Sequence, residues 1–221
     1  MGFTIGGIRD IRSGIRRRGR TADRLALAEL SGRWGWDVVP GARATADGCT
    51  CGTQRCAAPG AHPLDRGRRV AAGTGAEHAA RLWAPYGGAA MMLPVGVAFD
   101  ILDVAERAGR RALVRLERMG LPLGPVAVTP EGRAQFFVAP GSARALPGLL
   151  YRMGWDDAGL DLRPLGPGTY ITAPPSDRAG LGPVRWLRSP GATSAVRPPE
   201  ARLLLGTLAY VTHRTRTPAY A

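Results

Sequence analysis

The chain is predicted to fold as an α+β protein, an antiparallel sheet with helices on one face, preceded by an N-terminal α/β part that carries a cysteine-rich loop. Three observations lead there. From residue 95 onward, apolar strand-forming runs and helical periodicities follow one another as strand, helix, hairpin, helix, strands. Turn chemistry, Pro130-Glu131-Gly132 and then Gly166-Pro167-Gly168, stands between the strand-like runs. All three cysteines fall in one short loop, between residues 48 and 63.

The elements can be placed in order. Residues 1–20 hold six Arg against one Asp, with Ile5, Ile8, Ile11 and Ile15 three or four apart, and are expected to be a basic tail able to form an amphipathic helix. Thr21 is a candidate N-cap for a helix through Leu25, Leu27 and Leu30, and Trp36 to Pro40 reads as a strand. Thr74 and Glu77 have capping-box spacing, which predicts a helix from about Gly75 to Trp83. Ala89 to Leu93 and Val95 to Leu102 read as buried strands broken by Pro94. A helix then ends at Met119-Gly120, with Leu113, Leu116 and Met119 on one face and Arg110, Arg111, Arg115 and Arg118 mostly on the other. Val126 to Thr129 and Gln135 to Val138 form a hairpin, and a short helix covers Leu146 to Tyr151. Two strands, Leu160 to Leu162 and Thr169 to Thr172, follow, with a last one at Val184 to Trp186. Residues 199–212 are helical, their leucines free to dock. The expected division is a tail over 1–20, one domain over 21–197 with the cysteine loop at 48–63, and a C-terminal helix and tail over 198–221.

With 221 residues the chain can build one sizeable core. Its net charge of +13 suits a polyanionic partner. Every basic residue is Arg and none is Lys, which also fits the codon bias of a GC-rich genome, so charge alone does not decide the partner. No apolar run approaches the roughly 18 residues that span a bilayer, and no secretory signal opens the chain, so a soluble cytoplasmic protein with no membrane role is expected.

An odd number of cysteines in one loop fits metal binding in a reducing compartment better than disulfides. Cys49, Cys51, Cys56 and His62 form a Cys3His set, the ligand chemistry of tetrahedral zinc, and Gly48, Gly52 and Gly60 let the backbone turn tightly around an ion. Four protein ligands leave no open position, so the zinc is expected to be structural. His78 and His213 read as surface residues.

Beyond the loop, ordered motifs over about residues 25–190 resemble the N-terminal domain of bacterial bifunctional DNA primase/polymerases, the Prim-Pol branch of the archaeo-eukaryotic primase superfamily. Phe99-Asp100-Ile101-Leu102-Asp103 falls at the first acidic strand motif. Thr129-Pro130-Glu131-Gly132 followed by Phe136-Phe137 is similar to the family's hairpin. Gly159-Leu160-Asp161-Leu162-Arg163, then Gly166, Gly168 and Ala173-Pro174-Pro175-Ser176, is similar to the third motif and its closing loop. The Cys49 to His62 segment is similar to an insertion of actinobacterial members, and the chain resembles a short member of that type.

The resemblance implies a sheet related to the RNA-recognition fold, with a DNA primase/polymerase-like nucleotidyltransferase centre that uses magnesium or manganese for phosphoryl transfer. It implies Asp103 and Asp161 as catalytic acids with Asp100 as a further candidate, Gln135 and Arg163 as substrate-binding residues, and DNA and nucleoside triphosphates as partners. A separate helicase or replication partner would supply what this short chain lacks. The pattern is incomplete: Ala105 stands at i+2 from Asp103, where the family has a second acid, and Gln135 stands where a His is usual. Asp100, offset by three, points to the opposite face unless a bulge intervenes. The alternative readings are a catalytically degenerate relative that binds nucleic acid or nucleotide, and a regulatory interaction protein. Phe136, Phe137 and Trp186 are expected in the core, with base stacking as a secondary role.

Overall fold

The computed structural model describes residues 22–156 and 158–216. The expected basic helix of 1–20 and the Thr21 cap lie outside the described residues. Two antiparallel sheets organise the rest. The larger has the order β10-β6-β7-β5-β8, built from β5 (Asp100–Ala105), β6 (Val126–Val128), β7 (Arg133–Val138), β8 (Leu162–Leu165) and β10 (Arg185–Arg188). The smaller has the order β1-β4-β9, from β1 (Val39–Gly41), β4 (Ala90–Pro94) and β9 (Tyr170–Thr172). A two-stranded ribbon, β2 (Ala44–Thr45) and β3 (Gly48–Cys49), opens the cysteine loop.

Side chains alternate across a strand, so the large sheet has two distinct faces. Leu102, Val104, Ala134, Phe136 and Val138 point to one, where α3 (Glu106–Arg118), α4 (Ser142–Arg152) and α6 (Ala201–Arg216) cover them. The C-terminal helix is part of this core: Leu204, Leu205 and Leu208 are buried in it. Ile101, Ala127 and Phe137 point to the other face and meet the residues around the smaller sheet and the first helix, α1 (22–28), which continues as a π-helical turn over Glu29–Arg33. Trp36 stacks on Phe137 with ring centroids 5.3 Å apart, Phe99 lies 4.5 Å from Phe137, and the Trp36 indole N–H donates at 3.1 Å to Ala195 O in the short helix α5 (Ala192–Val196). Phe137 here and Phe136 on the helical face are core, as expected from the sequence, and Trp186 packs half-buried at the edge of the Trp36 cluster.

The α+β architecture with helices on one face of an antiparallel sheet is present, and several local expectations are revised. The α2 helix (Ala76–Trp83) starts at an N-cap Gly75, with no side-chain cap bond. The Thr74 hydroxyl instead donates to Ala71 O at 2.6 Å, and Glu77 pairs with Arg81. The strand expected at Val95 begins later, at Asp100, because Gly96 takes φ +102° and turns the chain between β4 and β5. The strands on either side of Gly166-Pro167-Gly168 belong to different sheets, so that turn carries the chain from the large sheet to the small one. Gly120 closes α3 with φ +67°, as a C-terminal glycine should. No helix among the described residues is long and apolar enough to cross a membrane.

Candidate functional site

The register across the large sheet sets one row of side chains on the face away from the helices. Trp186 on β10 pairs with Ala127 on β6, Ala127 with Gln135 on β7, Gln135 with Asp103 on β5, and Asp103 with Arg163 on β8. The row runs from apolar to charged, so the core of this face ends where Asp103 begins. One step along, Arg133 lies opposite Ala105, and continuing the β8 register places Asp161 on the far side of Ala105.

Arg133 bridges the two acids. Its Nε donates to Asp103 Oδ1 at 2.6 Å and its Nη1 to Asp161 Oδ2 at 2.7 Å, with a further bond from Nη2 to Asp103 O at 3.3 Å. The Asp103 side chain is 9% exposed, Arg133 19% and Asp161 35%. Partial burial works against the guanidinium's charge, but the two carboxylates outweigh it and raise the Arg133 pKa. The alanine between them matters: a methyl group leaves the path that Arg133 crosses to reach Asp161. The sequence motifs did not single out Arg133. Its signal was its place two residues before Gln135, on the same face of the hairpin strand, beside the small Ala105.

The other expected site residues are placed as follows. Gln135 is 5% exposed, and its Nε2 donates to Asp103 Oδ2 at 3.3 Å, so it faces the acid rather than the surface. Arg163 is open to solvent, its side chain 71% exposed and its Nε 3.9 Å from Asp161 Oδ1. Asp100 does not join the group. It is fully buried on the helical face, where its Oδ2 accepts the Ala143 N–H at 2.8 Å and so caps the N-terminus of α4. No bulge interrupts β5 against β7, which is why the three-residue offset separates Asp100 from Asp103. Glu106 pairs with Arg110 on α3.

These residues do not fit a pair of catalytic divalent ions. Magnesium demands near-octahedral oxygen ligands at about 2.0–2.1 Å, and two ions need several carboxylates converging on them. Here two carboxylates converge, and the guanidinium that offsets one of their two charges occupies the space between. Ala105 and Gln135 supply no further anionic ligand.

The cysteine loop does fit a metal. Cys49, Cys51, Cys56 and His62 bring their ligand atoms within 4.8 Å of one another, the one such group among the described residues. His62 Nε2 lies 3.4 Å from Cys49 Sγ and 3.3 Å from Cys56 Sγ. Its Nδ1 lies 2.8 Å from Pro63 O; a proton on Nδ1 donated to that carbonyl leaves the Nε2 lone pair facing the thiols, the second-layer contact that metal-binding histidines usually have. Hydrogen bonds from the Thr53 hydroxyl and backbone lower Cys51 to about 6, which favours the thiolate that a metal requires. Burial pushes Cys49 up, but backbone hydrogen bonds at Cys51 and Gly60 and the His62 contact bring it down on balance.

The loop is fastened to the fold. Ala42 N donates to His62 O and Leu64 N to Pro40 O, both at 2.8 Å, which zips the segment after the cysteines onto β1. Gly60 has φ +67°, and a Cβ there would lie 2.5 Å from Ala44 N, so only glycine fits. Ala179 N donates to Gly60 O at 3.1 Å, and in the same loop Arg178 bonds Glu131 at 2.7 Å, which ties the cysteine loop to the hairpin that carries Arg133.

Residues 27–201 match the family of bifunctional DNA primase/polymerase N-terminal domains, Prim-Pol. The chain belongs to the Prim-Pol family. No match was found among curated proteins or among solved structures. Prim-Pol domains are primase/polymerase-like nucleotidyltransferases, and membership implies nucleic-acid and nucleotide binding. In this Prim-Pol domain the Cys3His loop could hold a metal such as zinc.

Proposed function

We propose that this Prim-Pol domain binds nucleotide or nucleic acid on the Asp103 face without performing metal-dependent nucleotidyl transfer. The observation that carries this reading is the Arg133 bridge between Asp103 and Asp161. A carboxylate pair with half its charge offset and an oxygen of each acid taken up by a guanidinium has less to offer a cation, and displacing the arginine would cost two charge-assisted hydrogen bonds. Arg163, exposed at the charged end of the row, is the group available to a phosphate. Gln135 acts behind the surface by orienting Asp103. Zinc in the Cys3His set is structural: it would be held by Cys49, Cys51, Cys56 and His62 and would brace the loop against the hairpin.

Titration of a labelled nucleoside triphosphate tests this reading. Binding is expected to weaken in Arg163→Gln and to be indifferent to added magnesium. Binding that requires magnesium and is lost in Asp161→Asn would overturn it. The convergence of Asp103 and Asp161 on a single group favours a second reading, an active nucleotidyltransferase in which Arg133 yields to metal and substrate, and that reading predicts the magnesium-dependent outcome.

A further inference from the structure

On the side of the molecule away from Asp103, α3 carries a second stripe. Arg107, Arg110, Arg111, Val114, Arg115 and Arg118 recur at i, i+3, i+4, i+7, i+8 and i+11 and are all exposed. Ala108, Ala112, Leu113 and Leu116 take the buried side. Such spacing usually makes an apolar face, but here it makes a row of guanidiniums about 16 Å long at 1.5 Å per residue.

The stripe forms one wall of a groove of about 650 Å3 whose other wall is α6. Among the described residues Arg110, Arg111, Arg115, Arg118 and Arg214 line it together with Tyr210, and no carboxylate does. Arg110 is paired with Glu106. Among the described residues no acid pairs with the other four. The Arg115 and Arg214 guanidiniums lie 5.1 and 5.8 Å from the centroid of the Tyr210 ring. A hydrogen bond and the charge of Arg214, with Arg115 adding to both, lower the Tyr210 pKa, a sign of the positive field in the groove. Like charges at i, i+4 on a helix repel, so the stripe is unfavourable until an anion bridges it.

We infer that the α3–α6 groove is a docking surface for the phosphate backbone of nucleic acid, separate from the Asp103 face. Guanidinium forks match phosphate bidentately, and a row of them presents several such contacts along one line. The exposed part of the Tyr210 ring, beside these arginines, offers a surface on which a base or sugar can pack. An acidic polypeptide would satisfy the charges but would leave Tyr210 without that role.

Anisotropy of labelled oligonucleotides, one single-stranded and one duplex, measured at low and moderate salt, tests the inference. The Arg111→Gln/Arg118→Gln variant removes two exposed charges without touching the core. Its affinity should fall about tenfold at low salt, and its salt slope should drop by about 1.4 for a single strand or about 1.8 for a duplex, roughly 0.7 or 0.9 per lost contact. The strand type with the larger loss identifies the ligand. A thermal midpoint equal to that of wild type keeps folding out of the comparison. Unchanged affinity and slope in this variant overturn the groove. So does a loss seen only in Arg163→Gln, which assigns nucleic acid to the Asp103 face and leaves the proposed function standing. Polyglutamate displacing the oligonucleotide at equal charge concentration also overturns it, in favour of an acidic protein.

Discussion

Arg133→Ala removes the group on which the site is organised, and its cost can be estimated from the contacts. Three hydrogen bonds go: two to carboxylate oxygens and one to Asp103 O. Asp161, with its side chain 35% exposed, can recover water, so its share is small, under about 1 kcal/mol. Asp103, at 9%, cannot, and keeps only the Gln135 amide at 3.3 Å. Breaking a buried pair by deleting one partner costs about 3–5 kcal/mol, and the remaining amide argues for the low end, about 3 kcal/mol. For a chain of this size that lowers the thermal midpoint by about 6–12 °C. Arg133→Met, which keeps an apolar stem, should recover little of the loss, because the uncompensated charge dominates. In an Asp103→Asn background the same Arg133→Ala change should cost about 1 kcal/mol, a coupling of about 2 kcal/mol. Urea unfolding followed by the fluorescence of buried Trp34 and Trp36 reads all four corners of this cycle. A cost under about 0.5 kcal/mol with no coupling would refute the reasoning, since it would mean that the bridge does not hold the acids.

Three further outcomes follow from the same contacts. Asp100→Ala should destabilise the domain by about 1–2 kcal/mol through the lost cap on α4, and should leave nucleotide binding at the wild-type level; a selective loss of binding would return Asp100 to the site. The purified protein should contain about one zinc per chain by elemental analysis, and stripping it with a strong chelator, or Cys56→Ser, should lower the thermal midpoint; an unchanged midpoint would show that the loop needs no metal. Arg133→Ala/Ala105→Glu, which frees the acids and adds a third at i+2, should gain manganese binding by calorimetry that wild type lacks, and equal binding by the two proteins would contradict the account.

Much of this was legible in local pattern. Period-two alternation gives β5 and β7 their two faces, the turn at Pro130-Glu131-Gly132 gives the hairpin, and the offset of three residues between Asp100 and Asp103 forecast that they would part. The spacing of three cysteines and His62 in one glycine-rich loop foretold a ligand set, which the fold gathers. Non-local geometry was less readable. Arg133 reaches Asp161 only because β8 lies beyond Ala105 on the other side of β5, a fact of strand order that no local window contains. The assignment of β8 and β9 to separate sheets is also a matter of tertiary pairing, because the Gly166 to Gly168 turn has the same local chemistry whether it closes a hairpin or changes sheets. Thr74 missed its cap because the N-cap falls one residue later, at Gly75, and its hydroxyl closes the preceding turn.

The central claim, a Prim-Pol face whose carboxylates are held by Arg133 instead of metal, is tested most directly by incorporation of a single labelled nucleotide onto a primed DNA template in the presence of manganese. The account predicts no extended product from the wild-type protein. Extension by wild type that disappears in both Asp103→Asn and Asp161→Asn would contradict it.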